Sequence, residues 1–393
     1  MAFPRLRSLV LLLPFLLDPA AGLAAEIPAL GPGSFAVATT NLEVRPQADA
    51  KAMFDFMNGK STSTGPQYLT DILVHPDAVP TVQLDVPADA GLFGKLAGTR
   101  LPLVLLIVYP TTRDNPRADY VYPYTETGDR TFTHMEQPGD TPILAHPATR
   151  HPLIVMSGGY NTHGLWHLSH LKELAAHGYI VVDVFHGDGR GFSFAANLTL
   201  RPLAVRAALD FVLQHPDFGP AIDPNRIGAT GESAGGHTVL ALLGGTDPTG
   251  RVAAGADPRV KAAFGVVPFM GGSFGFWPFK VDAWHFGEDH GGLRGVRKPF
   301  FAVYGGKDAN VPPEGVEAGV RALSGPATAV MLDDESHLLT NPAQRDVRTW
   351  ELLFFDYWLR DDATARQQLE QGTSVQGGVK DHRTYHHAPP VSS

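Results

Sequence analysis

Apolar residues along the chain gather into short continuous runs separated by longer amphipathic stretches. Leu101 to Tyr109 and Leu153-Ile-Val-Met156 are nearly unbroken, the pattern of strands buried on both faces. Beyond them the period alternates. The spacing predicts a helix at 165–177, a strand over Tyr179-Ile-Val-Val-Asp-Val184 and a helix at 198–214. A strand from Arg226 to Thr230, a helix from Ala234 to Leu243, and strands from Val260 to Val267 and from Phe300 to Tyr304 follow. A helix at 313–323, a strand from Thr328 to Leu332 and a helix from Pro342 to Leu359 complete the series. In that last helix Val347, Trp350, Phe354, Tyr357 and Trp358 recur mostly three and four apart, so one face packs on a sheet. Strands alternating with helices predict one α/β domain at 101–365, a mostly parallel central sheet with helices on both faces.

The flanks read differently. Residues 26–100 are rich in Pro, Gly, Ser and Thr, with strand-like pieces such as Thr81-Val-Gln-Leu-Asp-Val86, and form an N-terminal extension expected to pack on the core. A polar insertion fills 111–150, and residues 366–393 form a polar C-terminal tail, expected to be loosely held, with its histidines solvated rather than ligating metal. At the other end, Arg5 and Arg7, the apolar run Leu9 to Leu17 and the small residues of Gly22-Leu-Ala24 or Leu23-Ala-Ala25 have the layout of a secretory signal over residues 1–25, weighed against an uncleaved anchor. The expectation is a secreted or periplasmic protein with no stable membrane insertion after cleavage, because the apolar run is shorter than a spanning helix.

Composition narrows the chemistry. The 393 residues are 44% hydrophobic and 18% charged, enough for a substantial core. A net charge of −9 without a basic stripe argues against nucleic-acid binding, which needs clustered Lys and Arg. There is no cysteine, which excludes disulfides, a thiol nucleophile and thiolate metal sites.

Gly231-Glu-Ser233-Ala-Gly235 fits G-x-S-x-G between a predicted strand and a predicted helix, where a sharp turn presents the serine hydroxyl at the carboxyl edge of a sheet. A serine hydroxyl needs a base to take its proton and a carboxylate to orient that base, in the order serine, acid, histidine. Asp308, after the turn Gly305-Gly-Lys307, is the candidate acid, weighed against an ordinary turn aspartate bonded to its own backbone. His337, on the loop after the strand ending at Leu332, is the candidate base; Asp333 and Asp334 are rival acids in that loop. An oxyanion further needs two N–H donors, for which Ala234 and Tyr160 are the candidates, with Gly159 behind Tyr160.

These residues resemble the α/β-hydrolase superfamily, and within it the dienelactone-hydrolase and platelet-activating-factor-acetylhydrolase-like branch that includes cutinase-like polyester hydrolases. Ser157-Gly-Gly-Tyr-Asn-Thr162 is similar to the Ser-Pro-Gly-Tyr loop of the polyester hydrolases, and Gly305-Gly-Lys-Asp308 with Val311-Pro312 resembles the acid turn. Ala234 stands where those enzymes carry methionine. The resemblance implies an α/β-hydrolase fold and a serine carboxylic-ester hydrolase acting on lipid-like, small or polymeric esters through an acyl-enzyme, with no cofactor. The aromatic segment around Phe269, Trp277 and Trp284 is a candidate acyl or alcohol pocket, weighed against a cap packing on itself. Two other readings stay open: a serine peptidase or amidase on the same fold, and a non-catalytic binding protein that retains it. His163, His167 and His170 share a helical spacing, but without a carboxylate nearby in sequence they are read as structural rather than as a metal site. Asp183-Val-Phe-His-Gly-Asp-Gly-Arg190 lacks a P-loop lysine and is read as pocket rim, with Asp183 and Arg190 as structural partners.

Overall fold

The computed structural model describes residues 25–46, 72–123, 129–162, 164–188, 193–247, 255–271 and 286–388. The leader at 1–24, Trp277, Trp284, His163 and Arg190 lie outside the described residues. The strands are β1 (Ala25–Ile27), β2 (Ala36–Thr39), β3 (Thr81–Asp85), β4 (Arg100–Thr111), β5 (Tyr120–Val121), β6 (Thr131–Phe132) and β7 (His151–Ser157). They continue as β8 (Ile180–Val184), β9 (Ile222–Glu232), β10 (Val260–Val266), β11 (Phe300–Gly305), β12 (Ala327–Leu332), β13 (Gly372–Val375) and β14 (Asp381–His387). The helices are α1 (Ala90–Phe93), α2 (Leu168–Ala176), α3 (Phe194–Gln214), α4 (Phe218–Ala221), α5 (Ala234–Leu242), α6 (Pro313–Ala322), α7 (Asn341–Arg360) and α8 (Ala363–Gln371).

A ten-stranded sheet runs in the order β14-β12-β11-β10-β9-β7-β8-β4-β2, with β3 also paired to β4. The six strands from β8 through β7, β9, β10 and β11 to β12 are parallel to one another; β14 at one end and β4 at the other run antiparallel to them, and β2 and β3 pair antiparallel with β4. The long apolar run becomes β4, every residue of which after Arg100 is buried. Its alternating side chains divide between the two faces: Leu105, Ile107 and Tyr109 join the core under α3, α5 and α6, and Leu106 and Val108 the core under α2 and α7. The segment at 26–100 contributes β2 and β3, which extend the sheet beyond β4.

The tail departs from expectation. Residues 372–375 pair in parallel with β1, and 381–387 form an antiparallel strand along the whole edge of β12. Trp350 Nε1 on α7 donates to Asp381 Oδ2 at 2.9 Å, and the Arg383 guanidinium donates to the carbonyl oxygens of Leu369 and Gly372. An edge strand buries little of its outer side, so a polar sequence serves there and blocks pairing with another chain. Trp350 is fully buried. Trp350→Phe removes the donor to Asp381 and shrinks the ring, so chemical denaturation is expected to show a loss of about 2 kcal/mol or more.

Candidate active site

The sheet order reverses at β7, which lies between β8 and β9 although it precedes both in sequence. A crevice at the carboxyl ends of the strands forms at such a reversal, and ligands of parallel sheets bind there. Ser157 at the end of β7 is in register with Gly231 near the end of β9, so the loops leaving these two strands meet at that edge.

Ser233 is the single residue between β9 and α5, at φ 53° and ψ −113°. This is a conformation that a residue with a side chain adopts only when its surroundings impose it. The Ser233 N–H donates to Val266 O, and its carbonyl accepts from the N–H groups of Gly236 and Phe269, each at 2.9 Å. The flanking glycines have a steric cause: a Cβ on Gly231 would lie 2.2 Å from Gly235 O, and one on Gly235 would lie 1.7 Å from Ser157 O. Nearby Asn161 and Val267 also have positive φ, of 58° and 41°. Three of the seven non-glycine residues with positive φ among the described residues thus lie at the serine or in the loops beside it.

The structure brings the serine, acid and base together. His337 Nε2 lies 3.0 Å from Ser233 Oγ, and His337 Nδ1 lies 2.7 Å from Asp308 Oδ2. Asp308 is 3% exposed. Its other oxygen, Oδ1, accepts the N–H groups of Asn310 and Val311 at 2.8 Å each. Asp308 is therefore both a turn aspartate and the partner of the imidazole, and the turn bonds fix the carboxylate that faces the ring. An acceptor at Nδ1 puts the imidazole proton there and leaves the Nε2 lone pair for the serine hydroxyl. The rival acids are engaged elsewhere: Asp333 with Lys380 and His382, Asp334 with Lys307. The histidine loop is pinned by the Lys307 N–H to Glu335 O, while the Glu335 carboxylate accepts from Thr340 at the start of α7.

Ala234 opens α5, so its N–H is among the donors that a helix leaves without an internal acceptor. The loop after β7 lies against the serine: a Cβ on Gly159 would come 3.7 Å from Ser233 Cβ. Among the described residues, the N–H groups of Gly159 and Tyr160 donate to no backbone carbonyl. The half-buried Tyr160 ring packs edge-on against Phe194 at 4.9 Å, and Phe194 against Phe269 at 6.2 Å. Phe269 thus reaches the elbow but is buried, stacked also on His237.

Several site neighbours escape the sequence. Arg201, 1% exposed on α3, donates to Gly158 O at 2.6 Å and Gly159 O at 2.8 Å and pairs with Asp188. The signal available was a lone charge within the apolar stretch between Leu200 and Pro202. Glu232, next to the serine, faces His167 Nδ1 at 3.4 Å, and His170 bonds Glu351 of α7. Burial lowers the His167 pKa. A cavity of about 640 Å³ opens beside His337, with Glu232, Trp166, Leu338, Arg345 and Arg348 in its walls.

Comparison of the sequence with known protein-family models and with curated proteins gives no match.

Burial pushes the Asp183 carboxyl at the end of β8 up to about 8, against the pull of the Val184 backbone hydrogen bond and the Arg201 charge. Unfolded, the group ionises near the ordinary value of about 3.9, so its contribution to stability is full below that pH and is lost as pH rises. The loss is complete once pH passes the folded value of about 8. Asp183→Asn mimics the protonated form. Its unfolding temperature is expected to exceed that of the wild type at about pH 8, with the gap narrowing toward about pH 5.

Proposed function

We propose that the protein is a serine carboxylic-ester hydrolase with an α/β-hydrolase fold. The observation that carries this reading is the hydrogen-bonded chain from Ser233 Oγ through His337 to Asp308 on a strained turn between strand and helix. Sheet order, elbow geometry and the chain order serine, aspartate, histidine support the fold assignment.

In this mechanism Ser233 Oγ attacks the ester carbonyl carbon while His337 Nε2 takes the hydroxyl proton. The carbonyl oxygen becomes an oxyanion held by the N–H groups of Ala234 and Tyr160. The tetrahedral adduct collapses by breaking the bond to the alkoxy oxygen, which leaves as alcohol with the proton from His337. Water, deprotonated by His337 Nε2, then attacks the acyl carbon; the second tetrahedral adduct breaks its bond to Ser233 Oγ, which takes the proton back from His337, and the carboxylic acid is released. Asp308 holds the ring in the required tautomer and stabilises the transient imidazolium.

Trp166 at 49% and Leu338 at 71% exposure flank the cavity beside His337, which suits an ester with an apolar part. Export from the cytoplasm, read from residues 1–25, belongs to the same proposal.

The purified protein is expected to hydrolyse p-nitrophenyl esters from a series running from acetate to palmitate, and to react with a fluorophosphonate at Ser233. Ser233→Ala should be inert to both while unfolding at the wild-type temperature. Asp308→Asn should lower kcat by about 10³- to 10⁴-fold, because an amide favours the wrong tautomer. An inert wild type that also resists the fluorophosphonate would sink the proposal.

A further inference from the structure

Beyond the serine, acid and base, the geometry points to Arg201, locked by Asp188, as the positioning residue that aims the oxyanion-binding N–H groups of the loop after β7. The inference rests on the serine-hydrolase reading.

Arg201 meets Asp188 through two contacts, Nε to Oδ1 at 3.1 Å and Nη2 to Oδ2 at 2.5 Å. Its remaining donors point at successive carbonyls: Nη1 at Gly158 O, 2.6 Å, and Nη2 at Gly159 O, 2.8 Å. Asp188 Oδ2 also accepts the Asn161 N–H at 3.0 Å, and the Asp188 carbonyl accepts from Asn197 Nδ2 on α3 at 3.2 Å. Residues 158–161 are therefore gripped at three points by one buried ion pair.

The consequence follows from peptide planarity. In a trans peptide the C=O and N–H point to opposite sides. Gly158 O shares its plane with the Gly159 N–H, and Gly159 O with the Tyr160 N–H. With both oxygens held on the guanidinium, both N–H groups are turned away from it. Gly159 itself adjoins Ser233. A flip of either peptide would aim a carbonyl oxygen where the N–H should be and repel the developing oxyanion; the clamp opposes that flip.

Stability is a poor explanation for such a pair. Both side chains are nearly inaccessible, Arg201 at 1% and Asp188 at 3%, and two well-packed apolar residues commonly match or exceed a buried ion pair in stability. The arginine fork supplies direction: one planar group addresses a carboxylate and two carbonyls at fixed angles, which the point charge of lysine does not.

The test measures kcat and KM for p-nitrophenyl acetate, per site counted by complete fluorophosphonate titration, in wild type, Arg201→Lys and Asp188→Asn. Circular dichroism checks folding, and Asp188→Asn, nearly isosteric with the native side chain, carries the test if Arg201→Lys does not fold. The clamp predicts that kcat per titrated site falls about 10- to 100-fold with KM changed by less than about threefold. It also predicts that an alkyl boronic acid, whose serine adduct carries the tetrahedral oxygen, binds more weakly by a similar factor, and that the pH dependence governed by His337 is unmoved. A folded variant with kcat per site within about twofold of wild type overturns the clamp, since a merely structural pair lowers only the unfolding temperature. If the wild type itself neither hydrolyses the ester nor takes the fluorophosphonate, the serine-hydrolase reading fails first and the clamp with it.

Discussion

The approach of the elbow to the end of β7 is the constraint on which the site depends. A Cβ on Gly235 would lie 1.7 Å from Ser157 O, so the start of α5 and the end of β7 touch through bare backbone. That contact sets the serine beside the Gly158 to Tyr160 loop. The parallel register of β7 with β9 makes it unavoidable, because Ser157 and Gly231 already stand opposite one another. Strain at Ser233 is held by the hydrogen bonds at its own N–H and carbonyl, which anchor it to Val266 at the end of β10 and to Phe269 just beyond that strand.

Asp308 and His337 are likewise each held by local contacts besides the bonds that link them to the serine. Asp308 spends one oxygen on two turn N–H groups and offers the other to His337. The His337 loop is tied to the Asp308 turn through Lys307 and Glu335, so Asp308 and His337 are fixed relative to each other by backbone as well as by their own contact. The two faces of the sheet differ in how they support this edge. One carries α5 and, on α3, Arg201 with its bonds to Asp188, Gly158 and Gly159; the other carries α2 and α7, whose His170 and Glu351 form a second buried pair behind Glu232 and His167. A polar scaffold thus backs the site from both sides.

Much of this was legible in the chain, and what was not has a common cause. Apolar runs such as Leu101 to Tyr109 declare buried strands, and Ser233, Asp308 and His337 each follow such a run at a turn, where chemistry on a parallel sheet belongs. The polar residues of β14 carry no such period, because an edge strand needs a neighbour more than a buried face. His167 and His170 share a helical spacing that suggests joint ligands, yet they meet carboxylates from β9 and α7, elements far apart in sequence. Arg201 is visible as an isolated charge in an apolar helix, but its partner Asp188 sits in a preceding loop and its other acceptors are backbone carbonyls. Backbone acceptors leave no mark on a sequence.

The pairing of β1 with β13 joins the beginning of the described chain to a segment close to its end, and β14 lays the last strand on β12. The β1–β13 pairing closes a loop over nearly the whole described chain, so loop entropy opposes it until the intervening chain is ordered, whereas β14 and β12 lie much closer in sequence. Among the described strands, the one that covers β12 is made last. Until then the sheet has an open edge, and the indole N–H of Trp350 lacks its carboxylate. Closure of that edge thus waits for residues 381–387, while the residues around the serine belong to elements already made.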